Sequence, residues 1–116
     1  MHNYKNLKIW QEAMLLVTET YTATFDFPDY ERFGLTSQIR RAVSSIPSNI
    51  AEGTSRSSQK EFKHFLSIAL GSSFEVSTQL EIAYRLNMME EEKRNELLQM
   101  NEVLQRKIQS FAKQLN

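Results

Sequence analysis

Gly34–Gly53, GLTSQIRRAVSSIPSNIAEG, is the stretch whose reading decides the fold. Leu35, Ile39, Ala42, Ile46 and Asn49 recur every three or four residues, and Val43 and Ile50 widen the same side. That period is one face of a helix. Pro47 stands inside it, where a proline removes a backbone donor and crowds the carbonyl four residues back, at a cost of about 3 kcal/mol. A kink is expected, with Ser44 or Ser48 placed to serve the freed backbone groups. Thr36 is the expected N-cap, and Gly53 the expected stop, since glycine accepts the left-handed cap geometry.

Outward from this helix the pattern repeats. Upstream, Leu7, Trp10, Met14, Val17, Tyr21 and Thr24 are spaced as one helical face, closed by Phe25, Phe27 and Pro28. Phe25, Phe27 and Tyr30 are expected to cover one end of the molecule. Downstream, the polar TSRSS loop leads to Ser58, which opens S-Q-K-E with Glu61 three residues on, a capping box. Phe62, Leu66, Ala69, Ser73, Val76, Leu80 and Ala83 then alternate four and three, the seam of coiled-coil-like packing. Asn87 is the expected cap of that helix. A last helix carries Leu97, Met100, Leu104, Ile108, Phe111 and Leu115 on its apolar side. Glu90, Glu91 and Glu92 at its start and Arg106, Lys107 and Lys113 toward its end suit the helix dipole. Four amphipathic helices with short connections predict an all-α, antiparallel, up-down-up-down four-helix bundle, as one domain over residues 1–116.

Lys and Arg total 14, as do Asp and Glu, so net charge gives no push toward nucleic acid or membrane. The charges are segregated all the same. Arg32, Arg40, Arg41, Arg56, Lys60 and Lys63 meet only Glu52 and Glu61 between Arg32 and Gly71, whereas Ser72–Gln105 is acidic. Segregation of this kind creates a local field that the total hides. There is no cysteine, which excludes disulfides and thiolate chemistry. No run approaches the roughly 18 apolar residues of a membrane span, and the N-terminus lacks the apolar core of a signal peptide. A cytoplasmic location is expected.

No catalytic constellation is apparent. Glu61 and His64 form one E-x-x-H, but a carboxylate-bridged di-iron bundle needs two such pairs and two more glutamates, and the only other histidine is His2. No nucleophile elbow and no phosphate-cradling glycine loop is present. Neither a catalytic residue, a cofactor nor a metal site is expected. Gln38, Ser45, Asn49 and Glu52 form a polar stripe beside the apolar seam, next to Pro47. It is suited to fixing helix register through hydrogen bonds or to facing a neighbouring subunit. The basic residues Arg40, Arg41, Arg56, Lys60 and Lys63 are either an ordinary solvated face or a phosphate-contacting surface.

YKNLKIWQEA, FGLTSQIRRAVSSIPSNIAEG and EFKHFLSIALGSSFEVSTQLEIAYRL together resemble the bacterial 23S ribosomal RNA intervening-sequence proteins. The likeness is most specific at Ser45–Gly53 and Ala69–Glu75. That family is similar in turn to the accessory proteins of diversity-generating retroelements. The resemblance implies a small bundle assembling into a ring-like homo-oligomer, a pentamer, with a non-enzymatic role near RNA or a ribonucleoprotein. Arg40 and Arg41 match its basic positions before the S-I-P segment. An assembly adaptor that binds no nucleic acid is the alternative.

Overall fold

The structure is a computed structural model and describes residues 3–115. Four long helices are present, with no strand among the described residues: α1 (Lys8–Thr24), α2 (Leu35–Thr54), α3 (Gln59–Arg85) and α4 (Glu91–Lys113). Each packs on two neighbours, in the cyclic order α1–α2–α3–α4, and the α2–α3 pairing is the most extensive. This is the antiparallel up-down-up-down bundle that the periodicity predicts, 44 Å along its longest dimension. The α1–α2 and α3–α4 connections share one end. The α2–α3 connection shares the other with the starts of α1 and α3 and the ends of α2 and α4.

The α3 seam is buried along its whole length, from Phe62 to Ala83. Its ends follow the sequence signals. The Ser58 hydroxyl accepts from the Glu61 amide at 3.1 Å and lies 3.2 Å from the Glu61 carboxylate. At the other end Asn87 takes φ 61°, and the Met88 and Asn87 amides donate back to the Ala83 and Tyr84 carbonyls. This is the Schellman closure that a left-handed residue permits.

Four expectations about helix ends and seams are corrected. Thr36 does not cap α2. It lies buried in the first turn, while Gly34 precedes the helix and Glu31 Oε1 accepts from the Leu35 amide at 3.0 Å. A Cβ on Gly34 would stand 2.6 Å from that oxygen, so the glycine leaves room for the carboxylate cap. Gly53 does not stop α2, which runs on through Thr54. A Cβ there would meet Phe62 Cδ1 at 2.7 Å and Phe65 Cβ at 3.0 Å, so Gly53 is needed for close approach to α3. The buried face of α1 is Ile9, Ala13, Leu16, Thr20 and Thr24, one step round from the expected face, and Met14 and Tyr21 are exposed. The Thr24 hydroxyl donates to the Thr20 carbonyl, which lets a polar side chain sit inside. In α4 the core position between Leu97 and Leu104 belongs to Asn101 rather than Met100.

Pro47 sits within α2, which continues through it, and its ring is buried. The Ser48 hydroxyl donates to the Ser44 carbonyl, and the Ser44 hydroxyl lies 3.5 Å from Tyr21 Oη. Neither is aimed at the Val43 carbonyl that Pro47 leaves without its usual donor. Of the end aromatics only Phe27 enters the core. Phe25 and Tyr30 are 81% exposed and Phe33 is 89% exposed.

Candidate nucleic-acid interface

Antiparallel packing sorts the charges by end. Lys5, Lys8, Arg56, Lys60, Lys63, Arg106, Lys107 and Lys113 belong to the end that holds the α2–α3 connection. The carboxylates of that end are engaged locally. Glu12 holds Lys107 at 2.8 Å, Glu52 holds Arg56 at 3.5 Å, and Glu61 accepts from Ser57 and Ser58. Lys8, Lys60, Lys63, Arg106 and Lys113 are exposed and have no acidic partner within 4 Å among the described residues. Lys63 and Lys113 flank a groove between α3 and α4, and Lys8 and Arg106 flank one between α1 and α4. The opposite end carries Asp26, Asp29, Glu31 and Glu90 in its connections and Glu91 and Glu92 in the first turn of α4, with Arg32, Arg85, Lys93 and Arg94 among them.

The five basic residues singled out from the sequence do not form one patch. Arg40 turns toward α1: its Nε donates to Thr24 Oγ1 at 3.0 Å and its guanidinium lies 4.7 Å from the Tyr21 ring. Arg41 is exposed on the α3 side of the same helix. Arg56 covers the Phe65 ring at 4.4 Å while pairing with Glu52. Lys60 and Lys63 lie one turn apart at the start of α3. Roughly 20 Å of helix separates the Arg40–Arg41 pair from Arg56, at 1.5 Å per residue. Lys8, Arg106 and Lys113 complete the basic end. The sequence marks the C-terminal cations as dipole partners and as part of the segregated charge, but nothing local places them beside Lys60 and Lys63.

The polar stripe faces α3. Ser45 Oγ lies 2.8 Å from Ser72 Oγ, and Asn49 Nδ2 donates to both the carbonyl and the hydroxyl of Ser45. Gln38 and Ser45 border a shallow cleft with Glu75 and Gln79. Glu52 is exposed and bound to Arg56. Pro47 lies on the other flank, near Trp10 and Met14. A second polar set ties α3 to α4: Ser73 Oγ donates to Asn101 Oδ1 at 2.6 Å, and Asn101 Nδ2 donates to the Ser73 carbonyl and to Ser77 Oγ, each at 2.8 Å.

Among carboxylates, Glu81 is held below its ordinary range by hydrogen bonds from Arg85 and then Arg94, at 2.8 and 2.7 Å. It is a surface ion-pair group at the acidic end. His64 stands beside Phe65, and the Glu61 carboxylate serves the α3 cap. His2 lies outside the described residues. Among those described, no group of three His, Cys, Asp or Glu side chains is placed to hold a metal ion. No described helix is long and apolar enough to cross a membrane.

The profile of the family described as "23S rRNA-intervening sequence protein" matches residues 5–110. The chain belongs to this family. A solved structure from Bacteroides thetaiotaomicron, of a protein with unknown function from the S23 ribosomal protein family, superposes with a TM-score of 0.81. It is 21% identical, and the match covers 90% of this chain and 98% of that one. At that identity the likeness speaks for the shared bundle. No curated protein matches the chain.

Proposed function

We propose that this 23S rRNA-intervening sequence protein is a non-enzymatic, cytoplasmic homo-oligomer that binds structured RNA or a ribonucleoprotein through its basic end. The observation that carries the reading is the set of cations there without acidic partners: Lys8, Lys60, Lys63, Arg106 and Lys113. Arg41 and Arg56 extend it along α2, and Arg40 contributes charge while tied to α1. The family description supports RNA as the polyanion. The resemblance to the intervening-sequence family implies a ring of five, in which symmetry multiplies a few cations into a basic face. RNA binding measured across a salt series, on protein of known oligomeric mass, tests this. About five phosphate contacts give a slope of log K against log salt of roughly −3.5 to −4.5. No binding at low salt, or binding indifferent to salt, refutes it.

The exposed Phe25, Tyr30 and Phe33 favour a second reading, an assembly adaptor, because aromatic anchors on a surface are typical of protein interfaces. An adaptor purifies free of nucleic acid and still forms a defined oligomer.

A further inference from the structure

The cleft between α2 and α3 holds a side chain that the fold does not satisfy. Gln79 is only 8% exposed, yet its Oε1 has no hydrogen-bond partner among the described residues. A buried polar atom without a partner costs about 1–3 kcal/mol, and native structures hold few of them. Gln79 borders a cleft of about 300 Å³ together with Gln38, Arg41, Ser45, Ser72 and Glu75. Arg41 and Glu75 are both exposed, and neither forms an ion pair within 4 Å among the described residues. Ser45 and Ser72 are occupied with each other at 2.8 Å.

We infer that this cleft takes a guanine nucleotide, with the base edge on Glu75 and Gln79 and the phosphate on Arg41. The inference deepens the RNA-binding reading and rests on it. Glu75 offers two acceptor oxygens. A half-turn of the Gln79 amide about its last bond brings the buried Oε1 to the cleft as a third, and turns the two N–H donors inward in its place. An acceptor-rich site selects an edge with adjacent N–H donors. Among the bases only guanine has two on one edge, its ring N1–H and its 2-amino group. Adenine and cytosine set one amine beside a ring acceptor, and uracil sets one N–H between two carbonyls. An unpaired RNA base is the form in which that edge is free. The basic end then supplies affinity and the cleft supplies sequence preference.

The test is anisotropy with single-stranded oligouridine RNA carrying one central G, A or inosine, at fixed salt, with free GMP titrated separately. The G oligomer is expected to bind about tenfold more tightly than the A oligomer, with inosine, which lacks the 2-amino group, between them. Glu75→Gln should erase the preference. Gln79→Leu should erase it too while raising the melting temperature, because the unsatisfied atom is gone. A fold that tolerates Gln79→Leu with no rise, or G and A oligomers bound equally under intact salt dependence, overturns the cleft and leaves the RNA-binding reading standing. GMP binding that Glu75→Gln abolishes, with no RNA bound, assigns the cleft to the free nucleotide and overturns the RNA reading alone. Binding of neither RNA nor GMP overturns both.

Discussion

Replacing Asn101 with alanine removes a side chain that is fully buried between α3 and α4. Three hydrogen bonds go with it: from Ser73 Oγ, to the Ser73 carbonyl and to Ser77 Oγ. At about 1 kcal/mol net for each, the expected loss is about 3 kcal/mol. The serine hydroxyls can fall back on carbonyls of their own helix, so the loss should not greatly exceed that figure. Urea unfolding followed by circular dichroism is the assay, at one protein concentration, because oligomerisation couples to stability. With a slope of roughly 1.5–2 kcal/mol/M, the midpoint should fall by about 1.5–2 M at unchanged slope. Ser73→Ala alone should cost about 1 kcal/mol, and the double variant should cost less than the two singles together, since they share a bond. Asn101→Leu with Ser73→Ala makes the contact apolar from both sides and should recover most of the loss. If Asn101→Ala costs less than about 1 kcal/mol, the polar contact is not what joins these helices, and the reasoning fails.

Four further outcomes are expected. Gly53→Ala should destabilise by about 1–3 kcal/mol despite alanine's better helix propensity, because its Cβ would stand 2.7 Å from the Phe62 ring; a more stable variant refutes the close-approach role. Pro47→Ala should stabilise by about 1 kcal/mol in thermal melts, the roughly 3 kcal/mol helix penalty being partly offset by the ring's lost burial of about two methylene equivalents and a freer unfolded chain; a clear loss contradicts this. The folded-state value of Glu81 is depressed, so its contribution is present above the ordinary value of 4.5 and is lost as pH falls through the folded-state value; Glu81→Gln should lower the melting temperature at pH 7, and the gap from the parent should shrink steadily as pH is taken below 4.5. Lys60→Ala with Lys63→Ala should flatten the salt slope of RNA binding by about 1.5 while leaving the melting temperature unchanged within error.

The α3 seam was legible in the sequence because each of its seven repeat positions from Phe62 to Ala83 is apolar or small and the caps at both ends have distinctive residues. α1 was harder. Apolar residues flank both sides of its true seam, and Thr20 looks like a solvent position; of the expected face, Thr24 is buried, its hydroxyl bonded to the Thr20 carbonyl. Asn101 was missed for the same reason. An asparagine in a seam makes sense only beside Ser73 and Ser77, about 25 residues away, and no local pattern announces that pairing. Gly53 carries two possible meanings, a turn or a close approach, and only the neighbouring helix decides between them. For the candidate site, the residue types were visible and their grouping was not. Arg40 and Arg41 are adjacent in the chain yet turn to opposite neighbours, while Lys8, Lys60 and Lys113 are far apart in the chain and share one end.

Charge sorting by end gives this neutral chain an electric dipole along the bundle. In the field of a polyanion such a molecule feels a torque before it feels any net pull. It arrives with the α2–α3 connection leading, and the acidic end, with Phe25, Tyr30 and Phe33, is held away. Orientation before contact removes part of the rotational search that limits association. A zero net charge is therefore compatible with fast, directed encounter, and it spares the chain the self-repulsion that a uniformly basic protein of this size carries.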